Sequence, residues 1–117
     1  MMKVIHSELA PKAVGPYSQA IVAGGFVFAS GQLPIDPATG EFARQSLTNV
    51  THVLAEAGID LSHVVKTTVF LSDMANFAAM NEVYATFFSE PYPARSAVAV
   101  KTLPKNALVE VEVVAAL

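Results

Sequence analysis

The sequence predicts an α/β (α+β) fold, a mixed sheet with two helices packed on one of its faces. Three observations point there. Short runs rich in β-branched residues alternate with longer amphipathic stretches, as in mixed domains. Two of those stretches repeat apolar residues at three- and four-residue steps, the spacing of a helix with one buried side. Proline and glycine punctuate nearly every junction between runs. At 117 residues, a single domain spanning 1–117 is expected.

Along the chain, Lys3 to Ile5 reads as a short strand, and "APKAVGPYS" as a loop stiffened by its prolines. Gln19 to Ala23 and Phe26 to Ser30 form a hairpin, because Gly24-Gly25 is a two-residue turn signal. "LPIDPATGE" is a second loop, broken by Pro34, Pro37 and Gly40. From Ala43 to Ala57 the period is helical, with Leu47, Val50 and Leu54 on one side, Val53 and Ala57 beside them, and Gly58 as a stop. A strand follows around Val65 to Leu71. Asp73 or Asn76 caps a second helix that runs to about Ser89 along Phe77, Met80, Tyr84, Phe87 and Phe88, and Pro91 and Pro93 end it. Ser96 to Val100 is a strand, "KTLPKNA" a loop, and Leu108 to Ala115 the last strand. The expected order is β-β-β-α-β-α-β-β.

Two helices on one side leave the other face of the sheet uncovered. Hydrophobic residues make up 53% of the chain and charged ones 15%, below the roughly 25% charged of typical domains. A chain so poor in charge points to self-association. The net charge of −3, with no basic cluster, argues against a nucleic-acid partner. The absence of cysteine excludes disulfides, thiolate metal sites and a thiol nucleophile. The N-terminal stretch lacks the apolar core of a signal peptide, and no apolar run approaches the ~20 residues of a membrane span, so a soluble cytoplasmic protein is expected.

Five places carry candidate chemistry. Arg95, in "YPARSAVAV", heads an apolar run, where lowered dielectric strengthens a contact to a carboxylate. It fits a clamp for a small organic acid, and equally a strand-end arginine paired with a surface acid. Glu110 and Glu112 stand two apart in a strand, hence on one face and roughly 6.5 Å apart, opposite Val109, Val111 and Val113. Either one orients or deprotonates a water, or both are solvated. "FASGQLP" sets Ser30, Gly31 and Gln32 at a strand end, where glycine admits a ligand close to the backbone. A proline loop follows rather than a helix, so a nucleophile elbow is not indicated. Tyr17 sits in a rigid loop, as a pocket wall or a core aromatic with a wet tip, and Asn81 lies at the edge of the second helix's apolar stripe, near a pocket or simply exposed. His6, His52 and His63 show no metal-ligand spacing, and no nucleotide-binding glycine motif occurs.

Taken together, "APKAVGPYSQA", "FVFASGQLPIDPATGE", "VVKTTVFLSDMANFAAMNEVYATFF", "YPARSAVAV" and "LPKNALVEVEV" resemble the reactive intermediate deaminases, the YjgF/RidA group, in order over nearly the whole chain. The resemblance implies a chorismate-mutase-like subunit assembling as a homotrimer, with sheets forming an inner barrel and active sites in the clefts between subunits. It implies hydrolysis of 2-imino acids, tautomers of 2-aminoacrylate and 2-aminocrotonate, to 2-keto acids and ammonia, without cofactor or metal. By position, Arg95 matches the arginine that grips the substrate carboxylate and Glu110 the acid that activates water. Tyr17, Ser30, Gly31 and Asn81 match pocket residues, and Ala97 stands where many relatives carry cysteine. Between Phe42 and Ala43 the family usually has extra residues, roughly two helical turns in length. Either the loop is shorter here, or a mobile segment is missing from the sequence. A keto-acid-binding regulatory module and a chaperone-like interaction protein are the rival functions. Chorismate mutase chemistry, suggested by fold alone, wants more cationic groups than one arginine per cleft.

Overall fold

A computed structural model describes residues 2–34 and 42–117. The expected element order holds. The strands are β1 (Lys3–Ile5), β2 (Ala20–Ala23), β3 (Phe26–Gln32), β4 (Val64–Leu71), β5 (Ala94–Ala99) and β6 (Val109–Ala116), and the helices are α1 (Phe42–Glu56) and α2 (Phe77–Phe87). The loop expected at "LPIDPATGE" lies, from Ile35 to Glu41, outside the described residues. Helix α1 runs straight through the Phe42–Ala43 junction.

The strands form a six-stranded sheet in the order β1-β2-β3-β6-β4-β5. All neighbours are antiparallel except β4 and β5, which run parallel because α2 carries the chain back between them. Gly24 and Gly25, with φ of 60° and 83°, make the β2–β3 turn, a conformation that side chains with a Cβ resist.

Alternation along each strand decides what is buried. Val109, Val111, Val113 and Ala115 of β6, Val69 and Leu71 of β4, and Val27 and Ala29 of β3 all face the helices. Leu47, Val50, Val53 and Leu54 of α1 and Met80 and Tyr84 of α2 close over them, so the core lies between the helix layer and one face of the sheet. On the opposite face stand Ile21, Phe26, Phe28, Phe70, Val98 and Val114, and no described helix covers them. Phe28, on an inner strand, is 47% exposed, and Val98, on the edge strand, 46%.

Two boundaries differ from the sequence-based expectation in ways that matter. Strand β5 begins at Ala94 rather than Ser96, because Lys66 and Thr67 of β4 pair with Ala94 and Arg95 and extend the ladder. Arg95 therefore sits within the strand. Strand β3 continues past Ser30 to Gln32 through a bulge. Ala29 pairs with Val113 and Gln32 with Val111, so three steps on β3 match two on β6. Ahead of the second helix Asn76 holds the N-cap position without a side-chain cap bond, and Asp73 caps the turn before it. Its carboxylate accepts from the Ala75 N–H at 2.8 Å, opening a 3-10 turn at Met74–Asn76 that leads into α2.

Candidate active site

The β3 bulge builds one half of the site. It turns the Cα of Gly31 toward β6, where Glu110 stands. A Cβ on residue 31 would lie 2.6 Å from Glu110 Cδ and 2.7 Å from its Oε2, so only glycine lets the carboxyl group settle there. Glu110 is half-buried, and burial raises its pKa above the ordinary glutamate value; the like charge of Glu112, two residues along the same face, adds to the shift.

The loop before β2 supplies the opposite wall, and a buried glutamine fixes it. Gln19 Oε1 accepts from the Ser7 N–H at 2.6 Å, while its Nε2 donates to the carbonyls of Ser7 and Pro11 at 3.2 and 2.8 Å. The same loop carries Tyr17, whose ring is nearly half exposed at the rim. Ser30 Oγ donates to the Ser18 carbonyl at 2.6 Å, so this hydroxyl ties β3 to the loop. Tyr17, Ser30, Gly31, Gln32, Lys105 and Glu110 line a cavity of about 400 Å³, together with neighbouring residues.

Sequence reasoning missed Gln19 and Lys105. Gln19 read only as the first residue of a strand, and the structure starts that strand at Ala20. For Lys105 a weak signal existed in "LPKNA": Lys105 and Asn106 adopt φ of 57° and 53°, a left-handed pair rare for residues with side chains.

Arg95, Asn81 and Ala97 do not line this cavity. Arg95 pairs with Thr67, and Thr67 with Val113, so all three side chains point to the helix side of the sheet. Glu110 and Glu112 pair with Phe70 and Thr68 and point the other way. Arg95 Nη1 donates to Asn81 Oδ1 at 2.7 Å, and its guanidinium carbon lies 4.7 Å from the Tyr84 ring centroid. Ala97 pairs with Val69 on the same side. The site residues thus fall into two groups: Tyr17, Ser30, Gly31 and Glu110 around the cavity, and Arg95, Asn81 and Ala97 across the sheet. Within one protomer, Arg95 and Glu110 do not meet.

Among the described residues, no cluster of three or more histidine or carboxylate side chains is disposed to hold a metal ion. His6 instead contacts Glu8, and His63 Nδ1 the carbonyl of Ala116.

A half-buried carboxyl group of raised pKa beside a cavity of small-molecule size on one face of the sheet, and a braced arginine on the other face, mark a mixed α+β protein of small-molecule-binding type. A family model described as Endoribonuclease L-PSP matches residues 7–117. The chain belongs to this family, which embraces the RutC and Rid proteins. It is 53% identical over 123 residues to a RutC family protein of Pyrococcus horikoshii, covering 98% of each chain. It is 54% identical to a RutC family protein of Sinorhizobium fredii, covering 100% of this chain and 99% of the other. It is 43% identical to the 2-iminobutanoate/2-iminopropanoate deaminase of Capra hircus, covering 97% of this chain and 88% of the goat protein. Among solved structures, an Endoribonuclease L-PSP homologue from Entamoeba histolytica superposes with a TM-score of 0.95 at 44% identity, over the whole of both chains. RidA from a Psychrobacter species does so with 0.93 at 42% identity, over 98% of this chain and 99% of the other.

Proposed function

We propose that this chain is a cofactor-free hydrolytic deaminase of reactive 2-imino acids and their enamine tautomers, the species formed from 2-aminoacrylate and 2-aminocrotonate. Its products are the 2-keto acid and ammonia. The observation that carries this reading is Glu110: a half-buried carboxyl of raised pKa, set against Gly31 in a cavity that fits a small acid. The goat relative's name supports the same chemistry.

In this mechanism an imine carbon, already electrophilic, needs little beyond orientation. The imine reacts in its protonated form: a water oxygen bonds to that carbon as the C=N π electrons move to nitrogen, and Glu110 accepts a proton from the water, giving a neutral carbinolamine. The proton then passes from Glu110 to the amino group, the C–N bond breaks, and the departing ammonia takes up the hydroxyl proton as ammonium while the carbonyl forms. Ionised Glu110 starts the cycle and is regenerated at its end. Arg95 holds the substrate carboxylate through two charge-assisted hydrogen bonds. Tyr17, Ser30 and Gly31 wall the bound acid.

Because Arg95 and Glu110 leave opposite faces of one sheet, the reading requires a second copy. A homotrimer supplies it, with Arg95 of one protomer entering the cavity of the next. The uncovered apolar face, with Phe26, Phe28 and Val98, supports such an assembly, and the cytoplasm is its proposed compartment.

The test is complementation. Arg95→Ala and Glu110→Gln proteins are each assayed on imines made in situ from serine or threonine by a dehydratase, then unfolded together and refolded. Each variant alone should be inactive. If every site joins two copies, about a quarter of the sites in the random mixture regain both residues, and about a quarter of the activity returns. No recovery means that the two residues do not act across an interface. A wild-type protein that binds 2-ketobutyrate without releasing ammonia is a binding module, and the deaminase reading fails.

A further inference from the structure

We propose that Asn81 and Tyr84 are positioning residues that hold the Arg95 guanidinium ready for a substrate carboxylate without neutralising it; this rests on the role given to Arg95 above. Arginine is a flexible side chain, and fixing it at the moment of binding costs affinity. Here it is already fixed. Phe77, Asn81 and Tyr84 recur at four- and three-residue steps and share one face of α2. The Arg95 guanidinium carbon lies 4.7 Å from the Tyr84 centroid and 5.7 Å from that of Phe77, while Nη1 donates to Asn81 Oδ1 at 2.7 Å.

The chemistry of these holders is specific. All are neutral: an amide oxygen and two aromatic faces. Among the described residues, no carboxylate lies within ion-pair distance of Arg95. The cation is therefore oriented while its charge stays available. A carboxylate in the place of Asn81 would orient it equally well, but would compete with any organic acid arriving there.

Tyr84 is itself pinned. Its hydroxyl shares a hydrogen bond with Thr67 Oγ1 at 2.9 Å, and Phe88 stacks on its ring with centroids 4.5 Å apart. Thr67 is fully buried and is the direct partner of Arg95 in the β4–β5 ladder. The sheet sets Thr67, Thr67 sets the ring, and the ring sets the guanidinium of the neighbouring strand.

The deciding variant is Asn81→Asp in the full-length protein, since it preserves shape and disturbs packing little. Two quantities are read: KM and kcat on 2-iminobutanoate generated in situ, and the Kd of 2-ketobutyrate by calorimetry. KM and Kd should rise about tenfold or more, as the introduced carboxylate occupies the cation, with kcat falling far less and the melting temperature not lowered. Tyr84→Leu, which removes the ring, should raise KM and Kd by about tenfold, and Tyr84→Phe, which keeps it, should restore most of the loss. A merely structural asparagine would tolerate aspartate, so unchanged KM and Kd in Asn81→Asp overturn the proposal even if Tyr84→Leu fails to fold. If the wild-type protein neither turns over the imine nor binds 2-ketobutyrate, the functional reading itself falls and this inference with it. That failure shows before any variant is made.

Discussion

Glu110 on β6 and Arg95 on β5 are separated by β4 alone, yet their side chains leave the sheet in opposite directions. Their surroundings differ as much as their directions. Around Glu110 the backbone sets the environment: a bulge and a glycine make room, and partial burial raises the pKa. Around Arg95 side chains set it: an amide, two aromatic rings and a buried threonine brace a cation. In the proposed mechanism Glu110 must be free to change charge, which partial desolvation favours, and Arg95 must keep its charge, which neutral partners preserve.

Four perturbations probe this contrast, and their consequences should diminish in turn. Arg95→Ala removes the cation and leaves its brace; kcat/KM on in-situ imines should fall about a thousandfold, with a melting temperature close to wild type. A variant with wild-type turnover would remove Arg95 from the mechanism.

Gly31→Ala attacks the other half through the backbone. Its Cβ would meet Glu110 Cδ at 2.6 Å, so the carboxyl must rotate away. We expect a loss of at least about tenfold in kcat, with little change in KM. Equal effects on both parameters would mean that Gly31 serves ligand contact rather than Glu110.

The third test uses pH. Turnover that needs ionised Glu110 is lost as pH falls through its folded pKa, which lies above the ordinary glutamate value. Glu112→Gln removes the smaller of the two causes, so the acid limb of the rate profile should move to lower pH without reaching the unperturbed position. Stability follows the same group with a definite sign. The folded state binds more protons between the ordinary and the raised pKa, so this contribution is fully present below the unfolded value and is lost as pH rises through the folded one. Denaturant titrations should show Glu110→Gln abolishing that decline. A limb that Glu112→Gln leaves unmoved would uncouple the pair.

Ala97→Cys should do least. Residue 97 packs toward the helices beside Val69, and the added sulfur is small, so turnover should stay within about twofold of wild type. A larger change would give this side chain a part in the Arg95 half.

The elements were legible because their signals are local. The β1 strand stands where Lys3 to Ile5 was read, and Leu47, Val50 and Leu54 line the buried side of α1 as their spacing requires. The shared face of Glu110 and Glu112 followed from alternation alone. The β3 bulge was not legible, because it is a mismatch between two strands far apart in sequence. Tyr84 read as a core aromatic, which it is; that its ring also braces a cation depends on β5 lying beside β4.

Period and composition thus settle the kinds of element, their order, the apolar excess of the sheet and which residue types are available for acid chemistry. Both are properties of neighbours along the chain, and they can be read without a fold. The side of the sheet from which each charged group emerges, and what surrounds it there, came from the folded arrangement. Facing across a sheet is set by register between strands, and register is a relation among residues that the chain does not place side by side.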